Sequence, residues 1–165
     1  MNDLIVKDES GQICFQVDPD PRVVRAQIIA LKDRLLALSP SEQTEMPVTH
    51  ELLDGMYMRK LFIPKDTILI GKIHLKGCFN FVEKGDISVM TETGSKRVQA
   101  GYTLTTPAGI QKVGYAHEDT IFINVFRTDE TDIDKIEAEI ATEDYAALTG
   151  VTLEQAEITM IGDAS

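Results

Sequence analysis

Cysteine, histidine and basic residues are scarce in this 165-residue sequence, and tryptophan is absent. Only Cys14 and Cys78 could pair, and because they lie far apart and form no CxxC motif, we expect two reduced thiols. No apolar run approaches the length of a bilayer span. The segment from Met1 to Lys7 lacks the features of a signal peptide, so we expect neither a membrane segment nor secretion by that route.

The shortage of basic residues also limits the possible partners. Lys and Arg number 16 against 27 acidic residues, which gives a formal net charge of −11. Nucleic-acid binding through a broad basic face needs cations that replace counterions on phosphates, so we expect no direct nucleic-acid contact. The sequence also lacks a Gly-rich phosphate loop, a GxSxG elbow and an HExxH motif, and we predict no catalytic residue.

Short alternating segments separated by Gly and Pro fill the centre of the chain. Hydrophobic residues make up 43% of the sequence, enough for one self-sufficient core. Many short strands at regular spacing are typical of a sandwich or barrel, and a mainly β jelly roll fits their number and length. The strands are predicted over residues 48–53, 56–63, 67–75, 78–83, 86–91, 96–99, 102–106, 111–116 and 120–127.

The N-terminal part predicts a small hairpin over residues 1–17 followed by an amphipathic helix. Asp20 is a good N-cap and Pro21 a good first helical residue, and the helix should end near residue 38. An apolar seam on this helix can pack on the chain's own barrel or pair with a neighbouring subunit, and both alternatives stay open. The seam consists of Val24, Ile28, Leu31, Leu35 and Leu38.

The C-terminal part changes to a helical period. The segment Thr131–Asp134 resembles a capping box, and Ile133, Ile136 and Ile140 form an apolar stripe, so we predict a short helix there and two further helical turns after it. Acidic residues dominate this segment. They can form a solvated helix surface or a docking face for a basic partner, and both alternatives stay open. The predicted organisation is an arm and helix over residues 1–46, a β-barrel over 47–128 and an acidic helical segment over 129–165.

The segment Gly101–Gly109 has the spacing of a known architectural motif. Gly101 precedes a short strand, Pro107 ends it because proline has no N–H to donate, and Gly109 suits a backbone conformation that other residues avoid. This spacing resembles the second motif of the cupin superfamily, in which a metal-binding His follows two residues later. The resemblance implies a cupin-like jelly-roll β-barrel, but Lys112 occupies the position of the His.

The first cupin motif can be placed on residues 71–80. His74 then takes the position of its first His, Lys76 that of the second His and Asn80 that of the Glu. A metal ligand must offer a lone pair, and an ammonium group offers only donors. The resemblance therefore implies a barrel pocket without a metal or other cofactor.

The pocket residues that the resemblance implies are His74, Lys76, Asn80 and Lys112, and they are our candidates for ligand binding. Period-two alternation places His74 and Lys76 on one inward face, and buried lysines need a partner. The lysines could pair with Glu83 or Asp86, reach solvent at the barrel mouth, or hold a phosphate or carboxylate.

Five segments, written below, are similar to small cupin-like proteins of tailed bacteriophages. This resemblance implies a non-enzymatic structural or assembly module, a homo-oligomer in contact with other virion proteins, in the virion or the host cytoplasm. The alternatives are a cupin enzyme or small-anion or sugar-binding protein that uses the pocket, and a host-modulating protein that uses the acidic face. The segments are Gly55–Arg59, Ile63–Pro64, Gly71–His74, Val113–Ala116 and Thr128–Thr131.

Overall fold

The computed structural model describes residues 4–142, which form short antiparallel strands and two helices. The elements are β1 Ile5–Lys7, β2 Ile13–Phe15, α1 Pro21–Leu36, β3 Val48–Leu53, β4 Met56–Ile63, β5 Ile68–Ile70, β6 Ile73–His74, β7 Cys78–Lys84, β8 Asp86–Thr91, β9 Gly94–Gln99, β10 Thr103–Thr106, β11 Val113–Ala116, β12 Thr120–Arg127, α2 Ile133–Ile140 and β13 Ala141–Thr142. Neither helix is long and apolar enough to cross a bilayer.

Two antiparallel sheets face each other and form the body of the molecule. The larger has the strand order β10-β7-β12-β4-β3 and the smaller the order β5-β11-β8-β9. A mixed apolar cluster joins their inner faces, with Val82 and Phe122 from the five-stranded sheet and Ile87 and Val98 from the four-stranded one. The mainly β architecture is consistent with a cupin-like jelly roll, but no ladder joins the two sheets within residues 4–142, so the predicted closed barrel is not found.

Most predicted strands have the observed bounds to within two residues, but the predicted strand over 67–75 is interrupted. Gly71 leaves the ladder because its N–H donates to the Lys112 carbonyl (2.9 Å) and its own carbonyl accepts from Nε2 of Gln111 (2.8 Å). The short strand β6 that follows donates from the His74 N–H to the Ile110 carbonyl at 2.9 Å. This break brings His74 and Lys112, distant in sequence, to the same end of the sandwich.

Helix α1 covers the outer face of the four-stranded sheet. Its Val24, Ile28 and Leu31 are buried in one cluster with Met90 and Val113 of that sheet. The hairpin of β1 and β2 adds Leu4 and Phe15 to the same cluster. Three members of the predicted seam are therefore buried within the chain. Leu35 is half-buried and Leu38 is exposed.

Helix α2 packs against the far end of the five-stranded sheet. Ile136 and Ile140 are buried beside Tyr57, Cys78 and Phe126. The helix begins one residue later than the capping box predicts, because Asp132 is the N-cap and accepts from the Lys135 N–H (3.1 Å). The two further helical turns predicted after it lie outside the described residues.

Candidate functional site

A cavity of about 390 Å³ lies between the two sheets. Most of its wall is aliphatic or aromatic, and its polar groups gather toward α2. The apolar wall includes Leu61, Ile63, Leu69, Ile87, Val89, Phe122 and Phe126, and the polar wall includes Arg59, Lys72, His74, Lys112, Asn124 and Glu137.

A row of polar residues crosses the inner face of the five-stranded sheet. Asn124 on β12 lies opposite Asn80 on β7 and opposite Arg59 on β4. Their neighbours two residues away on the same face, such as Phe122 and Leu61, are apolar. The row is therefore a polar stripe in an otherwise apolar cavity. Its buried polar groups cost free energy unless they are hydrogen-bonded.

Asn80 is fully buried, and its amide orientation is fixed by the neighbouring strand β10. Its Nδ2 donates to Oγ1 of Thr106 (2.8 Å) and to the Leu104 carbonyl (3.4 Å). Its Oδ1 is left as an acceptor, and Nζ of Lys112 donates to it at 3.0 Å. The amide therefore holds the lysine in one position without neutralising its charge.

Lys112 is the cation at the centre of this polar region. Burial lowers the pKa of its ammonium group to about 8. Its Nζ also lies 5.9 Å from the centroid of the Phe122 ring, within the range of a cation–π contact. No carboxylate within the described residues forms an ion pair with it.

His74 lies beside Lys112 and is neutral at physiological pH. Burial is the main cause that lowers its pKa to about 4, and the charges of Lys112 and Arg59 lower it further. Its ring stacks on Phe126 with a centroid distance of 5.7 Å. Both cations are therefore close enough to act on the same imidazole.

Cys78 lies beside His74 and Asn80, but its thiol is not activated. Its Sγ lies 3.6 Å from Nδ1 of His74 and 3.8 Å from Oδ1 of Asn80. Burial nevertheless raises the pKa of the thiol. Because the thiolate is the nucleophile, this cysteine is a packing residue rather than a reactive group.

Arg59 supplies a second cation to the cavity wall. Within residues 4–142 it forms neither an ion pair nor a hydrogen bond, although a guanidinium group has five N–H donors. Glu137 of α2 also lines the cavity. Burial raises the pKa of Tyr57, the charge of Arg59 lowers it, and the charge of Glu137 raises it. The cavity thus holds more positive than negative charge.

Helix α2 and β13 border the cavity at its polar end. Ala141 of β13 pairs with His74 of β6, and Ile140 and Ala141 contribute to the cavity wall. Glu139 holds this segment in place, because it forms an ion pair with Lys76 and accepts from Oγ1 of Thr128 (3.0 Å).

The predicted pocket residues are therefore only partly brought together. His74 and Lys112 line the cavity and Asn80 lies directly behind Lys112. Lys76 does not line it, because β6 ends at His74 and the Lys76 side chain turns to Glu139. The predicted carboxylate partners are also engaged elsewhere, since Glu83 pairs with Lys60 and Asp86 with Arg97.

Two cavity residues, Arg59 and Asn124, were missed by the sequence analysis. Each is a polar residue at an inward position of a strand whose other inward residues are apolar or aromatic. In β4 the inward residues are Tyr57, Arg59, Leu61 and Ile63, and in β12 they are Phe122, Asn124 and Phe126. That interruption of the alternation was the signal in the sequence.

The remaining histidines make local hydrogen bonds. Nδ1 of His50 lies 2.6 Å from the Tyr57 hydroxyl, and Nε2 of His117 lies 2.7 Å from the Ser88 hydroxyl. Within the described part of the chain, no three His, Cys, Asp or Glu side chains are grouped to hold a metal ion.

The comparisons with known proteins concern the fold only. No family model and no curated protein matches the sequence. KdgF from Halomonas sp. has 14% identity and a TM-score of 0.47, over 56% of this chain and 88% of that one. A cupin superfamily protein from Desulfitobacterium hafniense has 8% identity and a TM-score of 0.46, over 58% and 88%. The Cnp3 cupin domain of Schizosaccharomyces pombe has 12% identity and a TM-score of 0.45, over 57% and 74%.

Cupin-domain proteins are therefore among the structural neighbours of the chain. Identities and TM-scores this low assign no function and do not define its family. The finer resemblance to phage proteins is not shown by these comparisons and stays a prediction.

Proposed function

We propose that this protein binds a small organic anion in the cavity between its sheets, with a carboxylate group held by Lys112 and Arg59. The observation that carries the proposal is the pair of unpaired cations. The chain has 27 acidic residues, and yet neither cation forms an ion pair within residues 4–142. A buried charge costs free energy unless an opposite charge compensates it, and a bound carboxylate would supply that charge.

The rest of the cavity wall indicates the body of the ligand. Beyond the polar row the wall is formed by side chains such as Leu61, Ile63, Leu69 and Ile87. A cavity of about 390 Å³ is within the usual size for a small-molecule site. An aliphatic or aromatic monocarboxylate fits this division, with its charge at the polar end and its body against the apolar wall.

Calorimetric titration with 4-methylpentanoate tests the proposal, and 4-methylpentanamide is the uncharged control ligand. The acid should bind and the amide should not. Lys112→Met should weaken binding by about ten- to a hundredfold, since it removes a charge-assisted hydrogen bond. Lys72→Met removes an exposed cation from the rim of the same cavity and should change the Kd by less than about threefold. Equal losses in both variants, or no binding by the wild type, would overturn the proposal.

A second candidate function is the assembly role predicted from the sequence, and the outer face of the five-stranded sheet favours it. Phe79 and Phe81 on β7 are 59% and 38% exposed there. Their cross-strand neighbours on β12 are also apolar, with Val125 half-buried and Ile123 buried at 8% exposure. Unlike the other sheet, whose outer face α1 covers, this face has no covering element among the described residues. Contiguous exposed apolar residues are typical of protein interfaces.

We propose a second copy of this chain as the occupant of that outer face. The chain is strongly acidic, so copies repel each other except where charge is balanced. Balance exists on this face, because the charges of Lys60 and Glu83 neutralise each other across 3.0 Å. The virion setting stays a prediction.

Native mass spectrometry tests self-association. The wild type should form a dimer, and Phe79→Asp should be monomeric. Leu36→Asp introduces the same charge at an exposed position of α1 and should leave the dimer intact. A monomeric wild type, or a Phe79→Asp variant that still dimerises, would contradict this second candidate.

A further inference from the structure

We infer that Lys112 is a carbonyl-reactive amine, and that the cavity takes 2-oxo acids with an apolar body, which condense with its Nζ to form an imine. This inference rests on the proposed anion site and deepens it. It identifies a covalent chemistry that simple carboxylate binding does not require.

The geometry around Nζ is the first support. The nitrogen is fixed by a neutral acceptor, Oδ1 of Asn80 at 3.0 Å, and that amide is itself fixed through Thr106. No carboxylate of the described residues pairs with the amine, so no ion pair opposes loss of its proton. A lysine that is positioned but not neutralised is suited to act as a nucleophile.

The protonation state of Lys112 is the second support. Since burial lowers its pKa to about 8, a useful fraction of the amine is uncharged near neutral pH. The ordinary lysine pKa is about 10.4, at which an amine is almost fully protonated near neutral pH. Lys112 should therefore react with a carbonyl group faster than the exposed lysines of the chain.

The condensation is balanced without an oxidant or reductant. The lone pair of the uncharged Nζ attacks the carbonyl carbon, one Nζ proton passes to the carbonyl oxygen, and a carbinolamine forms. Its hydroxyl then leaves with the second Nζ proton as water, and the nitrogen lone pair completes the C=N bond. Asn124 lines the cavity beside this site, and its buried Oδ1 has no hydrogen-bond partner within residues 4–142.

The polar row also indicates why the carbonyl compound should be an acid. In a 2-oxo acid the carboxylate is bonded directly to the carbonyl carbon, so both must be held within one small region. Arg59 and Asn80 lie on strands on either side of β12, which places their backbones roughly 10 Å apart at the usual strand spacing. The long side chains of Lys112 and Arg59 can reach one ligand from opposite sides.

Reductive trapping tests the inference, with 4-methyl-2-oxopentanoate as the probe and cyanoborohydride as the reductant. Intact mass and peptide mapping should find a single adduct, located on Lys112. The probe has the same body as 4-methylpentanoate, which lacks the ketone and should not be trapped. An excess of 4-methylpentanoate should lower the adduct yield in the wild type.

Lys112→Arg is the matched variant, because it keeps the positive charge but cannot form an imine. It should yield no adduct, whereas the rim variant Lys72→Met should give the wild-type adduct yield within about threefold. If the wild type binds 4-methylpentanoate but yields no adduct, or if adducts are spread equally over exposed lysines such as Lys72, the inference is wrong and the anion site stands. If neither acid binds, the proposed function fails and this inference fails with it.

Discussion

Asn80 and Asn124 lie opposite each other on β7 and β12, but only Asn80 has its side-chain oxygen hydrogen-bonded. Oδ1 of Asn80 accepts from Lys112, whereas Oδ1 of Asn124 is buried without a partner in the described part of the chain. Burial of an unsatisfied acceptor costs about 1–3 kcal/mol. The polar row therefore contains an unsatisfied acceptor on a residue that lines the cavity.

The affinity for a monocarboxylate should depend on the charge of Lys112. Because burial lowers the pKa of this ammonium group to about 8, the Kd for 4-methylpentanoate should be constant near neutral pH and rise at higher pH by up to about tenfold per unit. Calorimetric titration from pH 6.5 to 9.5 measures this change. Lys112→Arg should remove the rise, since a guanidinium group stays charged throughout this range. A wild-type Kd that stays constant to pH 9.5 would contradict the role given to Lys112.

The buried His74 should make the protein sensitive to acid. Its pKa is lowered from the ordinary 6.5 to about 4, first by burial. Above pH 6.5 the imidazole is mostly neutral in both the folded and the unfolded state. Between pH 6.5 and 4 it is protonated in the unfolded chain but stays neutral in the folded chain. The free energy of unfolding should therefore fall as the pH falls from about 6.5 to 4, by on the order of 2 kcal/mol between pH 7 and pH 5.

Urea denaturation at those two pH values, in the wild type and in His74→Phe, measures the effect. The phenyl ring keeps the stacking on Phe126 but cannot bind a proton, so the variant should lose less stability than the wild type. Lys112→Met should reduce the wild-type loss only in part, because burial contributes more than Lys112 to the shift. Equal losses in the wild type and His74→Phe would be evidence against a neutral His74.

Gly85 should be much less tolerant of substitution than Gly109, although both have a positive φ, of +97° and +89°. A Cβ at Gly85 would lie 2.5 Å from the Asp119 carbonyl oxygen and 2.4 Å from Oγ1 of Thr120, whereas a Cβ at Gly109 meets nothing within 4 Å. Gly109→Ala should cost about 1–2 kcal/mol for the backbone conformation alone. Gly85→Ala should cost roughly 2 kcal/mol more for the clash. Similar urea midpoints for the two variants would exclude the clash as the dominant cause.

Charge on helix α1 distinguishes packing within the chain from packing between subunits. Leu31 is 8% exposed in the core, and Leu36 is 65% exposed on the same helix. Leu31→Asp should lower the free energy of unfolding by more than about 3 kcal/mol, because it buries an unpaired charge, and Leu36→Asp by less than about 0.5 kcal/mol. Thermal denaturation measures both effects. If Leu31→Asp instead dissociated an oligomer and kept the subunit stability, the seam would lie between subunits.

The strands could be predicted from the sequence because local chemistry determines them. Gly55, Gly85 and Gly101 each take a positive φ in the connections between strands, and alternation supplies the strands themselves. The break at Gly71 could not be predicted, since it depends on hydrogen bonds with Gln111 and Lys112, forty residues away. Whether the sheets close into a barrel likewise depends on long-range pairing.

Only the site residues that lie within the two cupin-like motifs could be predicted from the sequence. His74, Asn80 and Lys112 come together as that spacing implied. Lys76 does not join them, because it lies two residues beyond the end of β6 and its side chain pairs with Glu139. Arg59 was missed because a lone basic residue in a strand is usually solvated. Its importance appears only when the neighbouring strands place Asn124 beside it.

The pairing of β13 with β6 has a consequence for the order of events during folding. Ala141 pairs with His74 across more than sixty residues, and α2 packs on Phe126, a residue of the last strand of the five-stranded sheet. Both contacts need a sandwich that is already formed, and α2 follows every strand of that sandwich along the chain, so the helix docks late during synthesis. We therefore expect the polar end of the cavity to stay open to solvent until α2 docks.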